Sequence, residues 1–187
     1  MNRNYYQNDI RSFINEERTS ILGHLSSNNE FSLVENQKNS WLIQIDKLKS
    51  WLVGIQGSIS FEYTIPRMGK RIDCVLIVEN IIFILEFKVG SMHYDLGSIN
   101  QTIDYALDLK NFHSESHQAI IAPILISTDA EEINDQPAEI SHDKILDIYL
   151  TNGSSLSDYI QSLLGKFEQD FINSDAWFNS GYKPTPT

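Results

Sequence analysis

The sequence is poor in cysteine, in basic residues and in long apolar runs. Cys74 is the single cysteine among 187 residues, which excludes an internal disulfide and any zinc site built from several cysteines. No stretch approaches the roughly 18 consecutive apolar residues of a membrane span. The N-terminus, MNRNYYQNDIR, has no apolar run of signal-peptide type. We therefore expect a soluble, cytoplasmic protein without a membrane partner, while the oligomeric state stays open.

The shortage of basic residues limits the choice of partners. Lys and Arg number 14 against 25 Asp and Glu, so the formal net charge is −11. Nucleic-acid-binding proteins usually carry a basic surface, which makes this charge unusual for that class. The acidity is uneven, because residues 128–187 have a net charge of −8 and residues 1–127 only −3. Bulk charge therefore does not decide the function.

The hydrophobic pattern predicts one α/β domain, with a mixed sheet of about five strands covered by helices. Apolar residues recur at helical or at alternating spacing and give the order α–α–β–β–β–α–β–β–α. The expected helices are 8–25, 39–53, 98–112 and 154–172. The expected strands are 58–66, 71–78, 81–89, 119–128 and 145–150.

The strand ILEFKVG carries two charged residues, Glu86 and Lys88, which point the same way because they are two positions apart. A two-residue turn at Glu79-Asn80 would place Asp73 of the preceding strand opposite Glu86. Side chains opposed in this way have Cβ atoms about 4.5–5.5 Å apart, where two carboxylates repel each other. A slip of one residue in the register would destroy the arrangement.

A divalent cation would turn this repulsion into a binding site. Mg²⁺ is usually bound by one or two carboxylates together with water and substrate phosphate, and the backbone carbonyl of Phe87 could add a ligand. Lys88 could orient the attacking water or neutralise charge on a phosphate. The alternative is a buried ion pair of Glu86 or Asp73 with Lys88 or Arg71, which would be a weak source of stability. We favour the metal site, with Mg²⁺ or Mn²⁺.

The helix that follows offers two more polar groups. Gln101 and Tyr105 are i, i+4 and share a helix face. Each has a purely structural alternative. Ser98 and Gln101 match a capping box, and Tyr105 could be a core residue with a satisfied hydroxyl.

These residues carry a family resemblance. Asp73, Glu86-Phe87-Lys88 and Gln101-x-x-x-Tyr105 together resemble the PD-(D/E)XK nuclease superfamily in its RecB-like form, although no proline precedes Asp73. The longer stretch FEYTIPRMGKRIDCVLI…ILEFKVG…QTIDYALDLKNFH is similar to the N-terminal domain of an uncharacterised family of predicted DNA/RNA helicases. The similarity covers most of residues 35–128 and returns at 177–187.

The resemblance implies a restriction-endonuclease-like domain over residues 1–176, with 1–30 as a helical extension. It implies that 177–187 is a linker to a C-terminal P-loop helicase domain of a longer chain. The expected activity is Mg²⁺- or Mn²⁺-dependent hydrolysis of nucleic acid, with DNA favoured over RNA. The implied roles are metal ligands for Asp73 and Glu86, the catalytic lysine for Lys88, and supporting groups for Gln101 and Tyr105.

Three points stay open at this stage. The superfamily's further acidic residue could be Glu62, which we favour, or Glu35. The basic residues after the first strand could contact phosphate or could simply belong to a solvated loop. They are Arg67, Lys70 and Arg71. The alternative function is a module with a nuclease fold that binds nucleic acid or a partner with little turnover.

Overall fold

In the computed structural model, which describes residues 3–29 and 34–184, a mixed six-stranded sheet lies between two layers of helices. The strands are β1 (Tyr6–Asp9), β2 (Ser58–Ile65), β3 (Lys70–Val78), β4 (Ile81–Lys88), β5 (Ile120–Ser127) and β6 (Tyr149–Thr151). They follow one another across the sheet in chain order. Strands β1 to β4 are antiparallel, and β5 and β6 are each parallel to the strand before. The predicted mixed sheet is confirmed, with six strands instead of about five.

The helices form the two outer layers. They are α1 (Ile10–Asn15), α2 (Arg18–Asn28), α3 (Glu35–Trp51), α4 (Leu96–Phe112), α5 (Leu156–Leu163) and α6 (Ser174–Phe178), with a short 3-10 turn at Ser114–Ser116. Helices α1, α2, α3 and α5 pack on one face of the sheet, and α4 and α6 pack on the other. Within the described residues, no helix has the length and apolarity needed to cross a membrane.

The first predicted helix, 8–25, is wrong at its beginning. Residues Tyr6–Asp9 form an edge strand that pairs antiparallel with β2. The carboxylate of Asp9 then accepts a hydrogen bond from the backbone N–H of Ser12 at 2.8 Å, so it ends the strand and caps α1. Residues 6–9 therefore belong to the sheet, and the helices α1 and α2 follow within the predicted extension 1–30.

The predicted turn between β3 and β4 is confirmed. Val78 pairs with Ile81, and the ladder continues in the same register to Cys74 opposite Leu85. Glu79 takes a positive φ of 54°, as the first central residue of a two-residue hairpin turn does. The register on which the carboxylate pair depends is therefore the one present.

In β2 and β3, the apolar side chains change from one face of the sheet to the other at the same level. Phe61 packs with α3 on one face, whereas Tyr63 packs with α4 on the other. The residue between them, Glu62, has a φ of 54°, which breaks the alternation. The partner strand does the same, because Ile72 and Cys74 also belong to opposite faces. The alternation of side chains between the two faces is therefore interrupted within β2, because the backbone rotates at Glu62.

The C-terminal part also differs from the prediction. Helix α5 ends at Leu163 because Gly165 adopts a φ of 74°, the left-handed conformation common just after a helix. Trp177 is fully buried, and the Tyr182 hydroxyl donates to the Asp108 carboxylate at 2.7 Å. Trp177, Phe178 and Tyr182 are therefore packed on the α4 side of the sheet. That 177–187 links to a further domain stays a prediction, and 185–187 lie outside the described residues.

The last predicted strand, 145–150, is shorter than expected. Strand β6 comprises only Tyr149–Thr151, and Ile145 makes an isolated bridge to Ile121.

Candidate metal centre

The two carboxylates of interest lie at the open end of the β3–β4 hairpin. The ladder ends at Cys74 and Leu85, and the same register brings Asp73 to the level of Glu86. The Asp73 carboxylate accepts a hydrogen bond from the backbone N–H of Phe87 at 2.8 Å. This contact replaces the next ladder bond, so the side chain of Asp73 bridges the gap where the strands separate.

The pKa values of both carboxylates are raised. Burial raises the pKa of Asp73 well above its usual range, and the charges of Glu86 and then Glu62 add to the effect. Burial also raises the pKa of Glu86, although Lys88 beside it acts in the opposite direction. Glu86 is only 4% exposed, and its Oε2 accepts no hydrogen bond from any described residue. The centre therefore concentrates more negative charge than its own contacts neutralise.

Lys88 connects the carboxylates to α4. Its Nζ donates to Glu86 Oε1 at 3.0 Å and to Gln101 Oε1 at 3.4 Å. Gln101 Nε2 in turn donates to the Tyr105 hydroxyl oxygen at 2.6 Å. Burial, followed by the charge of Glu86, raises the pKa of Tyr105, so its hydroxyl keeps its proton at neutral pH. The predicted grouping of these four side chains is present.

The capping-box interpretation of Gln101 is wrong. The N-cap is Asp95, three residues before Ser98, and its carboxylate accepts a hydrogen bond from the backbone N–H of Ser98 at 2.9 Å. Gln101 therefore lies beyond the first turn, and its amide contacts Lys88 and Tyr105.

Glu62 is held by both of its oxygens. The Trp41 indole N–H donates to Oε1 at 3.0 Å, and Arg71 Nε donates to Oε2 at 3.0 Å. The Arg71 guanidinium also lies over the ring of Tyr5, 4.8 Å from its centroid. Glu62 acts on the centre through its charge, which raises the pKa of Asp73 and of Glu86. The other acidic candidate, Glu35, is an exposed residue in the first turn of α3.

Replacing Trp41 by Phe is expected to lower the free energy of unfolding by about 1.5–3 kcal/mol, because Glu62 would lose a buried hydrogen bond to a charged acceptor. Urea denaturation followed by fluorescence or circular dichroism measures this change. Trp51→Phe is the matched control, since Trp51 lies on the same helix and is partly exposed. Equal losses in the two variants would show that the hydrogen bond to Glu62 contributes nothing.

The three basic residues proposed to contact phosphate do not share one surface. Arg67 lies over the ring of Phe112 on the α4 side, 3.6 Å from its centroid. Arg71 is bound to Glu62 on the α3 side, and Lys70 is exposed. Arg67 is therefore directed to a ring and Arg71 to a carboxylate, whereas Lys70 makes neither of these contacts within the described part of the chain.

The donor set fits a hard divalent cation held by few protein ligands. Within residues 3–29 and 34–184, no three His, Cys, Asp or Glu side chains are grouped so as to hold a metal ion. Mg²⁺ often takes only one or two carboxylates and completes its shell with water and phosphate. The buried, unpartnered Glu86 Oε2 and the adjacent Asp73 carboxylate supply that pair.

Sequence reasoning missed the residues that hold Glu62. Trp41 lay within the expected helix 39–53 without a role of its own, and Arg71 was considered as a loop cation or as an ion-pair partner of Glu86 or Asp73. The one available signal was the indole N–H of Trp41, since such a group usually finds an acceptor when it is buried.

Comparison of the chain with protein-family models, with curated proteins and with solved structures finds no match. The fold itself defines an α/β protein whose mixed six-stranded sheet is flanked by helices.

Proposed function

We propose that this chain is a metal-dependent nuclease domain of the PD-(D/E)XK type that hydrolyses phosphodiester bonds in nucleic acid, with DNA favoured. The observation that carries the proposal is a buried pair of carboxylates, Asp73 and Glu86, that a single cation, Lys88, compensates only in part. Such a group costs stability in a protein core and is expected where function requires it. A P-loop helicase domain in a longer chain is the proposed covalent partner.

The roles of the residues follow from their contacts. Asp73 and Glu86 would hold Mg²⁺ or Mn²⁺, with the Phe87 carbonyl as a further oxygen donor. When bound, the cation would supply a Lewis acid and a water of lowered pKa. Lys88 would donate a hydrogen bond to charge that develops on the phosphate oxygens. The Lys88 side chain is 31% exposed, so it is accessible to a phosphate from solvent.

Gln101 and Tyr105 fix the position of Lys88. Gln101 accepts from Lys88 and donates to Tyr105, a buried residue in the middle of α4. This chain limits the rotation of a flexible lysine, and positioning of this kind lowers the barrier to reaction. Tyr105 does not act as a proton acceptor, because its raised pKa keeps the phenol neutral.

A second function is a binding module with little turnover. Two observations favour it: the net charge of −11, and the absence, among the described residues, of a three-ligand metal group. In that case the domain would position nucleic acid or a partner for an attached motor. Metal binding separates the two functions.

Calorimetry with Mn²⁺ tests the nuclease proposal. We expect the affinity to rise with pH, because a cation must displace the protons that the raised pKa values of Asp73 and Glu86 retain. The rise in affinity should occur at pH values above the ordinary range of carboxylate pKa values. Titrations in two buffers of different ionisation enthalpy would detect the release of protons on binding.

Glu86→Gln is the matched variant for this titration, since it keeps the shape of the side chain and removes its charge. Loss of Mn²⁺ binding in Glu86→Gln supports the metal centre. Unchanged binding in that variant, or no binding to the wild-type protein, favours the binding module.

A further inference from the structure

A polar groove adjoins the candidate centre on the α3 side of the sheet. It has a volume of about 590 Å³. One wall is a stripe of α3, and the other wall is the end of β4 together with the loop that leads to α4. We call it the α3 groove, and its lining residues are Asn36, Asn39, Ser40, Ile43, Phe87–Ser91 and Asp95.

The α3 wall of the groove is made of neutral side chains. Asn36, Asn39 or Ser40, and Ile43 are spaced i, i+3 or i+4, i+7, so they form one stripe of the helix. Lys88 is the one Lys or Arg in the lining. A duplex is held mainly through many phosphate contacts from basic side chains, which this wall does not offer. Amide groups and an apolar side chain suit base edges and base faces instead.

The opposite side of the same loop is acidic. Asp129 donates its backbone N–H to the carbonyl of Ser91 at 3.0 Å, and the Tyr94 hydroxyl donates to the carbonyl of Glu131 at 2.9 Å. Both acidic side chains are exposed. A second strand lying over the loop would bring its phosphates towards these carboxylates. Like charges brought together in this way oppose binding.

We propose that the α3 groove takes single-stranded nucleic acid and that the acidic rim, Asp129 and Glu131, disfavours a duplex. The inference rests on the proposed nuclease function and adds its substrate class. Leu96, the first residue of α4 and the neighbour of the lining residue Asp95, is 70% exposed and offers an apolar surface for an unstacked base. Selectivity for single strands over duplexes then comes from both the neutral groove and the repulsive rim.

The test compares cleavage of a labelled 30-nucleotide strand, alone and annealed to its complement, by the wild-type protein with Mn²⁺. We expect the single strand to be cleaved at least about tenfold faster. Asn39→Asp is expected to slow cleavage of the single strand about tenfold, because it adds a charge that repels phosphate. Gln37→Glu makes the same chemical change at an exposed position of α3 outside the groove lining, and it should change the rate less than about twofold.

The rim is tested with the double variant Asp129→Asn, Glu131→Gln, which should raise duplex cleavage several-fold and leave single-strand cleavage unchanged. Mn²⁺ calorimetry on each variant shows whether the centre is intact. The proposal for the α3 groove would be overturned by metal-dependent cleavage at equal rates on both substrates, or by equal effects of Asn39→Asp and Gln37→Glu. Either result would leave the nuclease proposal standing. Failure of the wild-type protein to bind Mn²⁺ or to cleave either substrate overturns the nuclease proposal itself.

Discussion

Asp73→Asn is expected to remove metal-dependent cleavage and to stabilise the metal-free protein at the same time. The loss of cleavage should exceed about 100-fold, because a direct ligand should matter more than a residue that only supports one. The amide oxygen of Asn can still accept the Phe87 N–H that Asp73 accepts at 2.8 Å. The fold therefore keeps this contact while the charge disappears.

The gain in stability follows from the pKa of Asp73. Burial and the charges of Glu86 and Glu62 raise it, so the native state binds this proton more tightly than the unfolded state does. The metal-free protein consequently loses stability as the pH rises above the ordinary carboxylate range. Asn removes this loss, and we expect a gain of about 0.5–2 kcal/mol at neutral pH, the range of single stabilising substitutions.

Urea denaturation at neutral and at acidic pH measures the stability of Asp73→Asn, and a nuclease assay measures its activity. The gain should be smaller at acidic pH, where the wild-type carboxyl group is protonated. A variant that is destabilised at neutral pH and still cleaves would show that Asp73 serves the fold and not a metal.

Lys88→Met is expected to reduce cleavage more than about 100-fold while Mn²⁺ still binds, because the lysine acts on the phosphate and not on the cation. It should also lower the free energy of unfolding by about 1–3 kcal/mol, since Glu86 would lose its 3.0 Å hydrogen bond from Nζ and keep a buried charge. Denaturation without metal and calorimetry with Mn²⁺ measure the two effects.

The double variant Glu86→Gln, Lys88→Met separates catalysis from structure. Removing both charges should restore most of the lost stability, because no buried charge is then left without its partner. Cleavage should remain absent. A double variant that cleaves as well as the wild-type protein would identify Glu86 and Lys88 as a structural ion pair.

The register of the hairpin could be predicted from sequence because a two-residue turn between apolar strands leaves few alternatives. Val78 opposite Ile81 fixes every later pair, so the position of Asp73 near Glu86 followed from counting. The grouping of Lys88, Gln101 and Tyr105 could be anticipated in the same way, from one strand and the helix after it.

The environment of Glu62 could not be predicted from sequence. An alternating strand pattern assumes that the backbone keeps its pleat, and the φ of 54° at Glu62 breaks it. The partners of this carboxylate come from 21 residues upstream and 9 residues downstream, Trp41 and Arg71. Such contacts depend on tertiary packing, which local periodicity does not encode.

The packing of the segments near the two chain ends could not be predicted for a related reason. Tyr6–Asp9 is too short and too polar to show an apolar alternation, yet pairing with β2 makes it a strand. The segment at Trp177 resembled a linker because of its prolines and threonines, while the aromatic residues before them are buried against α4. Long-range pairing and burial override local composition in both segments.

Cleavage of plasmid DNA and single-stranded DNA with and without Mn²⁺ tests the metal centre most directly. The wild-type protein should cleave only with the cation present, and Asp73→Ala, Glu86→Ala and Lys88→Ala should each abolish cleavage. Circular dichroism of each variant checks that the fold is intact. Cation-dependent cleavage that survives all three substitutions would contradict the assignment of the centre to these residues.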